Sequence, residues 1–568
     1  MLLSEITIKN FRGIEELTLQ LDRCTILIGE NNTGKTSVLE AVHTCLSRNL
    51  SRRAVPFGEY DFHLTAASPE PAAALPIEIQ FTFTESAENE WPDAIVQGLE
   101  KAVQVRPDNK QEVRFRVIAS YDTTLKNFVL DWAFLDLNGN ELPTAKNPRL
   151  VIELQQLNPA FLLTAIRDAA QHFQSRSPFW APFTRNPQID EATREELEDQ
   201  IAGINQAVLD AHEPFNEVKT QIAKTGTLVP LAAADLVSVE AVPARIFDML
   251  NKTQVKLAAK SGAKLPIGQH GAGTQSLSVI FLFHAFLNAR LAEAFDKDAE
   301  PLLTLEEPES HLHPSAIRSL WTVLDGLKGQ KLVATHSGEL LAAVPLKAIR
   351  RLARKAGKVS VFQVKDGTLT ADDERKIAYH VRAKRGNLLF AKSWLLVEGE
   401  SEFWFFPEAA RAMGFEFELE GVCCVEFAQC SLTPLLKLAI DLGIEWHVLV
   451  DGDPAGQQYA QTARMYLGAS PEPQRLTVLP QTDIEHAMWQ HGYSAVYDAA
   501  VSAAQRANIV AAVGTDDHVD QTIRAATRST SKPHLAIAAV EAVRQAGSPG
   551  LPPAIRTAIT NVVDNAKL

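Results

Sequence analysis

The sequence predicts an α/β chain in two parts, each built on a parallel sheet. Three observations predict it. Near the start, "CTILIGENNTGKTSVLEAVHTCL" runs from an apolar strand through a glycine-rich loop into a helix. Later, "PLLTLEEPESHLHP" and "KLVATHSGEL" are apolar strands with polar tips. In the last third, "AKSWLLVEGESEF" and "HVLVDGDPAG" repeat that pattern around helical segments. Parallel sheets place ligands at such strand ends.

A chain of 568 residues exceeds one hydrophobic core, so two to four domains are expected. Its 46% hydrophobic and 22% charged residues are those of a globular protein and argue against a disordered chain. "MLLSEITIKNFRG" reads as a strand, not as a secretion signal. "LSVIFLFHAFLNARL" is too short to span a bilayer and contains His284, Asn288 and Arg290, so no membrane association is expected. Cys24, Cys45, Cys423, Cys424 and Cys430 lack metal-ligand spacing, which fits buried reduced thiols in a cytosolic protein. The net charge of −14 argues against a surface coated in phosphate-binding residues. Residues 347–392 nevertheless hold 13 Lys and Arg against 4 Asp and Glu, either a solvated surface or a local anion-binding face.

Taking the elements in order, "ITIKNFRGIEELTLQL" reads as two strands. "GENNTGKT", residues 29–36, then fits the G-x-x-x-x-G-K-[ST] phosphate loop with a strand before it and a helix after it. Gly29 and Gly34 let the backbone close on phosphate oxygens, with Asn31, Asn32 and Ser37 completing the cradle. Lys35 would reach the β- and γ-phosphates of ATP, and Thr36 would ligate Mg²⁺. Glu306 would hold that ion through water, Glu307 would orient the attacking water, and His336 would sense the γ-phosphate. In "GQHGAGTQSLSVIFLFHAF", Gly268, Gly271 and Gly273 precede a helix whose apolar face begins at Leu277. With Ser276 they make either a second phosphate cradle or a plain turn before a core helix.

This order of motifs resembles ATP-binding-cassette (ABC) ATPases of the SMC and RecF type. The resemblance implies that Gly271, Gly273 and Ser276 of one subunit cap the partner's nucleotide, so that two subunits enclose two ATP molecules. One departure is that Glu306 stands where that class usually has Asp. About 230 residues separate the phosphate loop from the glycine-rich helix start. "LPIEIQFTFTE", "EVRFRVIASYD" and "FVLDWAFLDL" read as strands of one lobe. Leu197, Ile201, Ile204 and Val208 then recur at helical spacing, and Phe215, Val218 and Ile222 resume it after Pro214. That inserted helical element would either dimerise the protein or pack on its own lobe.

In the C-terminal third, a strand ends in Glu398, with Glu402 four residues on in an amphipathic helix. A later strand ends in Asp451 and Asp453, which point to one side in extended chain. "VLPQTDIEHAMW" adds Asp483 and Glu485. Asp-Gly and Pro-Ala-Gly are also good turn formers, so a simple turn is the alternative at Asp451. Six carboxylates at one sheet edge would repel strongly in the absence of cations, and hard oxygen donors suit Mg²⁺ or Mn²⁺. Residues 388–500 resemble the Toprim fold.

A cassette followed by Toprim resembles the OLD (overcoming lysogenisation defect) nucleases, over nearly the whole chain. That resemblance implies metal-dependent DNA cleavage and, in many relatives, phage defence. It assigns one ion to Glu398, Glu402, Asp451 and Asp453, and a second to Asp483 and Glu485, with Glu398 also the general base. Lys532, in "RSTSKPHLAIAAVEAV", matches a lysine that assists cleavage, although a surface lysine near a helix start is the alternative. These features resemble the two-metal, Gabija-related branch. Arg382, Lys384 and Arg385 would contact DNA phosphates, and a helicase is a candidate partner.

The expected division is 1–180 and 226–385 for the ATPase, 181–225 for the inserted dimerisation element, and 386–568 for the Toprim domain with a helical extension. A homodimer or higher homo-oligomer is expected. The alternatives are a RecF-like ATP-dependent DNA-repair clamp that does not cut, and a nucleotide sensor whose partner cuts. The segment after about Pro553 carries no readable signal.

Overall fold

A computed structural model describes the chain except residues 48, 49, 51–54, 165–171, 174–176, 178, 186–188, 224–239, 244, 251, 252, 259–261, 356, 384 and 385. Of Arg185, Asn216, Ala223, Phe247, Arg382 and Ala383 it describes the backbone alone.

Among the described residues the N-terminal part contains two large sheets and a small antiparallel pair, Lys256–Ala258 with Lys264–Pro266. Strands Leu3–Phe11, Ile14–Gln20, Ile77–Thr84, Gln104–Val105, Gln111–Asp122 and Asn127–Leu135 form an antiparallel one. Its inward side chains, among them Ile6, Ile8, Phe81 and Phe115, bury against Val38, Leu39 and Val42 of helix Lys35–Leu46. The second sheet runs in the order Lys358–Gln363, Ile349–Lys355, Cys24–Gly29, Gln330–Ala334, Leu302–Glu306, Ala160–Leu163. All its neighbours are parallel except the first pair. Such strands are covered on both faces, which is why they read as unbroken apolar runs. The register pairs Leu27 with Ala334 and Ala334 with Glu306, bringing three motif-bearing strand ends to one level.

The inserted helices are Glu191–Ala211 and Pro214–Ala223. On the first only Ile201 is buried, whereas Ile204, Val208, Val218 and Ile222 are exposed. Among the described residues, most of that apolar row stands exposed.

The Toprim sheet is wholly parallel, in the order Val422–Glu426, Ser393–Val397, Glu445–Val450, Leu476–Val478. The edge strand "VCCVE" was not foreseen, because five residues between two helices carry too little pattern. From Ser393–Val397 the chain goes to one side for Val422–Glu426 and then to the other for Glu445–Val450. The switch point falls between strands ending at Glu398 and Asp451, where open sheets bind ligands. Helix Pro553–Asn565 covers one face with Ile555, Ile559, Val562 and Val563. Those positions repeat every three to four residues, a helical signal that was present in the segment expected to carry none.

One hydrophobic cluster runs through both parts, from Ile26, Phe283 and Leu305 to Trp394, Leu396 and Val448. Arg351, buried at the seam, donates to the carbonyls of Leu442 at 3.1 Å, Gly443 at 3.2 Å and Ala391 at 3.0 Å. Burial lowers its pKa to about 10. Beside it Lys355 pairs with Glu445 at 2.7 Å, and Lys392 with phosphate-loop residue Glu30 at 3.1 Å. Arg351→Ala strands those carbonyls. The expected cost is on the order of 3 kcal/mol, read as a lowered urea midpoint.

The basic segment is largely consumed by the fold. Arg350 bonds Asp22, Lys358 pairs with Glu15, Lys347 with Glu374, and Lys376 with Asp372. Lys384, Arg385 and the side chain of Arg382 lie outside the described residues. Among the described residues no helix is long and apolar enough to cross a membrane.

Candidate functional site

The phosphate loop depends on two glycines. Gly29 has φ 147°, and a Cβ there would stand 2.2 Å from the carbonyl oxygen of Leu352. Gly34 has φ 95° and packs against Ile14. Lys35 Nζ donates to the carbonyls of Gly29 and Glu30, both at 2.8 Å, so the ammonium already spans the loop. Burial lowers its pKa to about 8, against the pull of Glu307, Glu30 and Glu306. Thr36 Oγ1 donates to Glu306 Oε1, joining the two expected Mg²⁺-binding side chains. Glu307 has φ 45°, and its backbone N–H reaches Ala334 O at 2.8 Å. Burial lowers the pKa of His336 and the nearby Lys35 lowers it further, against the pull of Glu307, which favours the neutral imidazole. Asn31, Asn32 and Ser37 fall in the same loop and helix start.

One residue there escaped the sequence reading. Glu309 is buried, accepts Thr335 Oγ1 at 2.6 Å and His336 N at 3.3 Å, and has no partner for Oε2. It braces the His336 turn.

The glycine-rich helix starts earlier than its apolar face suggested, at Ala272, and runs to Ala289. Gly271 is its exposed N-cap. Gly273 lies in the first turn, where a Cβ would stand 2.8 Å from His311 O. Ser276 lies one turn further in, buried, with Oγ unpartnered. It faces a small enclosed pocket with Leu163, Leu305 and Glu307, not the helix tip.

The acids of the Toprim sheet share one electrostatic neighbourhood. Burial raises Asp451, and Glu402, Glu398, Asp483 and Glu485 add to it, to about 8. Glu485 rises to about 7 through burial and then Asp483, with Lys532 opposing. Glu398 is raised by burial, with Asp453 and Glu402 adding. Burial also raises Glu402, which feels Lys532 and Asp483. The exposed Lys532, first residue of helix Lys532–Val543, is thus near the pocket. These mutual effects link all six acids although they come from three strand ends.

Four of them are aimed by backbone amides. Asp451 N donates to Glu398 Oε1 at 2.8 Å, and Gly399 N to Glu402 Oε2 at 2.9 Å. Gly456 N donates to Asp453 Oδ1 at 2.7 Å, and His486 N to Asp483 Oδ1 at 2.8 Å. Each spends one oxygen on the fold and keeps the other for a ligand. The two glycines of "DGDPAG" permit this packing. A Cβ would stand 2.4 Å from Gln481 O at Gly452, and 2.0 Å from Asp451 O at Gly456. A clustered, all-oxygen donor set suits a hard divalent cation. As they stand, no three such groups among the described residues meet around one point. The pocket is an acidic neighbourhood, not a finished coordination shell.

Two further residues were missed. His486 Nδ1 lies 2.5 Å from Asp483 Oδ1, and its Nε2 lies 2.8 Å from Asp520 Oδ1. The bond to Asp483 raises His486 to about 9. Burial pushes Asp483 up, but the bonds from His486 leave it lowered overall. His486 stands three residues after Asp483, a spacing legible in the sequence, whereas Asp520 is joined only by folding.

Comparison with known proteins places the chain. Residues 1–387 match a family described as "Protein of unknown function (DUF2813)", and residues 389–453 match "Overcoming lysogenization defect protein-like, TOPRIM domain". The chain is 32% identical to "Uncharacterized protein YbjD" of Escherichia coli (strain K12), over 97% of this chain and 96% of that one. It is 26% identical to "OLD nuclease" of Thermus scotoductus, over 70% and 72%, and 22% identical to "Endonuclease GajA" of Bacillus cereus, over 80% and 75%.

Proposed function

For a chain that belongs to the DUF2813 family and carries the Toprim domain of OLD-like proteins, we propose metal-dependent cleavage of DNA under control of an ABC-type ATPase. The single observation that carries this reading is the cluster of mutually interacting acids from three strand ends, in which Asp451 is the most strongly shifted, pushed up to about 8. Relatives named as nucleases, aligned over at least 70% of the chain, support it.

Glu398, Glu402, Asp451 and Asp453 would hold one Mg²⁺ or Mn²⁺, and Asp483 and Glu485 a second. When bound, such ions would supply Lewis-acid activation of a phosphodiester. The chain's own contribution is orientation and proton handling. Glu398 has one oxygen fixed by Asp451 N–H, which leaves Oε2 to take the proton of an attacking water. Lys532 stabilises charge on the leaving oxygen. Lys35 would hold ATP, Thr36 and Glu306 would hold its Mg²⁺, and nucleotide there would control subunit arrangement and DNA access. The exposed row Ile204, Val208, Val218 and Ile222 supports a homodimer through the inserted helices. A role in phage defence in a prokaryotic cytoplasm, with a helicase as partner, follows the same family reading.

Incubating supercoiled plasmid with the protein and Mg²⁺ or Mn²⁺ tests the reading, with a chelator as control. Metal-dependent conversion to relaxed or linear DNA is expected. ATP-dependent binding without any strand break would favour the RecF-like clamp and overturn it. Lys532→Ala is expected to slow cleavage by about 100-fold without loss of metal binding, measured by single-turnover nicking.

A further inference from the structure

We infer that His486 and Asp520 are positioning residues that set the pocket's grip on its second divalent ion. The inference rests on the metal-centre reading above and deepens it.

Asp483 Oδ1 takes two hydrogen bonds from one residue, the backbone N–H and the ring Nδ1 of His486. With that oxygen doubly held, the carboxylate plane is fixed and Oδ2 is left for a ligand. The imidazole is itself held from its far side, where Nε2 meets Asp520 Oδ1 at 2.8 Å. Both ring nitrogens face carboxylate oxygens, so the ring can neither flip nor swing without breaking a charge-assisted bond. The His486 side chain is 15% exposed, whereas that of Asp520 is 47% exposed. The relay therefore runs from the surface inward.

It also ties together elements that the sheet alone leaves independent. Asp483 caps the five-residue helix Ile484–Met488, which carries Glu485. Asp520 lies on helix Asp516–Ser529, whose own N-terminus is capped by Thr515. The short helix bearing one acid of the pair is thus braced by a longer one. Of the pocket's other acids, Glu398, Glu402 and Asp453 have a backbone amide for this purpose. Only Asp483 adds a side chain supported by a second carboxylate. Outer-shell partners of this kind typically change metal affinity by about 10- to 100-fold when removed.

The test counts Mn²⁺ bound by the full-length protein, using electron paramagnetic resonance of free manganese, without DNA or ATP. Wild-type protein is expected to bind two ions at this pocket, above any at the nucleotide loop as counted in a Thr36→Ala background. His486→Ala is expected to weaken one ion by about 10-fold or more and leave the other within about twofold. His486→Asn, whose amide nitrogen stands near the position of Nδ1, is expected to recover most of that loss. Asp520→Asn, a partly exposed change that leaves every pocket acid intact, is expected to weaken the same ion several-fold. Unfolding temperatures without metal should stay level, most securely for Asp520→Asn. Two ions bound with wild-type affinities in His486→Ala and Asp520→Asn would overturn the inference. So would equal weakening of both ions alongside a lowered unfolding temperature, which marks a merely structural role. A wild-type protein that binds no manganese at the pocket would instead remove the metal-centre reading, and this inference with it.

Discussion

Asp451→Ala is expected to lower plasmid cleavage by at least about 1,000-fold while ATP hydrolysis stays within about twofold. Asp451 sits at the switch point of the Toprim sheet, and its charge is felt alongside those of Glu402, Glu398, Asp483 and Glu485. Its backbone N–H also aims Glu398, but that bond survives the substitution, so the loss reports on the carboxylate alone. Equal cleavage by wild type and variant would mean a contaminating nuclease and would remove the proposed function.

The same residue carries a stability signature that needs no DNA. In the unfolded chain Asp451 titrates at about 3.9, whereas in the fold it is held at about 8. Between those values the folded state keeps a proton that the unfolded state has lost. Stability of the metal-free protein therefore falls as pH rises through this window, and Glu485, held at about 7, adds a slope of the same sign. Asp451→Asn removes part of that slope and raises the unfolding temperature at pH 8 in chelator. An unchanged slope would show that Asp451 is not burdened as described. The acid that the pocket needs is one that the fold would be more stable without.

Lys35→Ala is expected to reduce ATP hydrolysis by about 100-fold or more, with metal-dependent nicking in the absence of nucleotide kept within a few-fold. Lys35 bridges Gly29 O and Glu30 O inside the phosphate loop, and the acidic pocket lies on a separate sheet. Phosphate release and single-turnover nicking, measured on one preparation, separate the two chemistries. Parallel loss of both would show that a nucleotide-filled loop is required for the cut itself. The seam of Arg351, Lys355–Glu445 and Glu30–Lys392 is a physical route by which the loop can regulate the Toprim strands.

Much was legible because the strands that carry the motifs are parallel to their neighbours in the sheets. A strand buried on both faces is written as an unbroken apolar run, and its carboxyl end is where a ligand-binding residue follows at once. Gly29–Thr36, Glu306–Glu307, His336, Glu398 and Asp451–Asp453 all stand at such ends, so pattern alone located them. The edge strand Val422–Glu426 was lost because its few residues are no more distinctive than a helix fragment. The basic segment was ambiguous for a different reason. A charge count does not record partners, and Asp22, Glu15 and Glu445 come from other parts of the chain.

The sequence by itself determined which residue types stand at the strand ends, the order of the motifs, and hence the class of chemistry. These are local properties, fixed by spacing and by the preferences of a few neighbouring residues. Only the tertiary structure decided that acids from three strand ends and the distant Lys532 act on one another. It also decided that Ser276 turns inward beside Glu307, and that Asp520 holds His486. Each of those depends on how elements far apart in the chain pack together, and burial acts on a charge only after that packing exists.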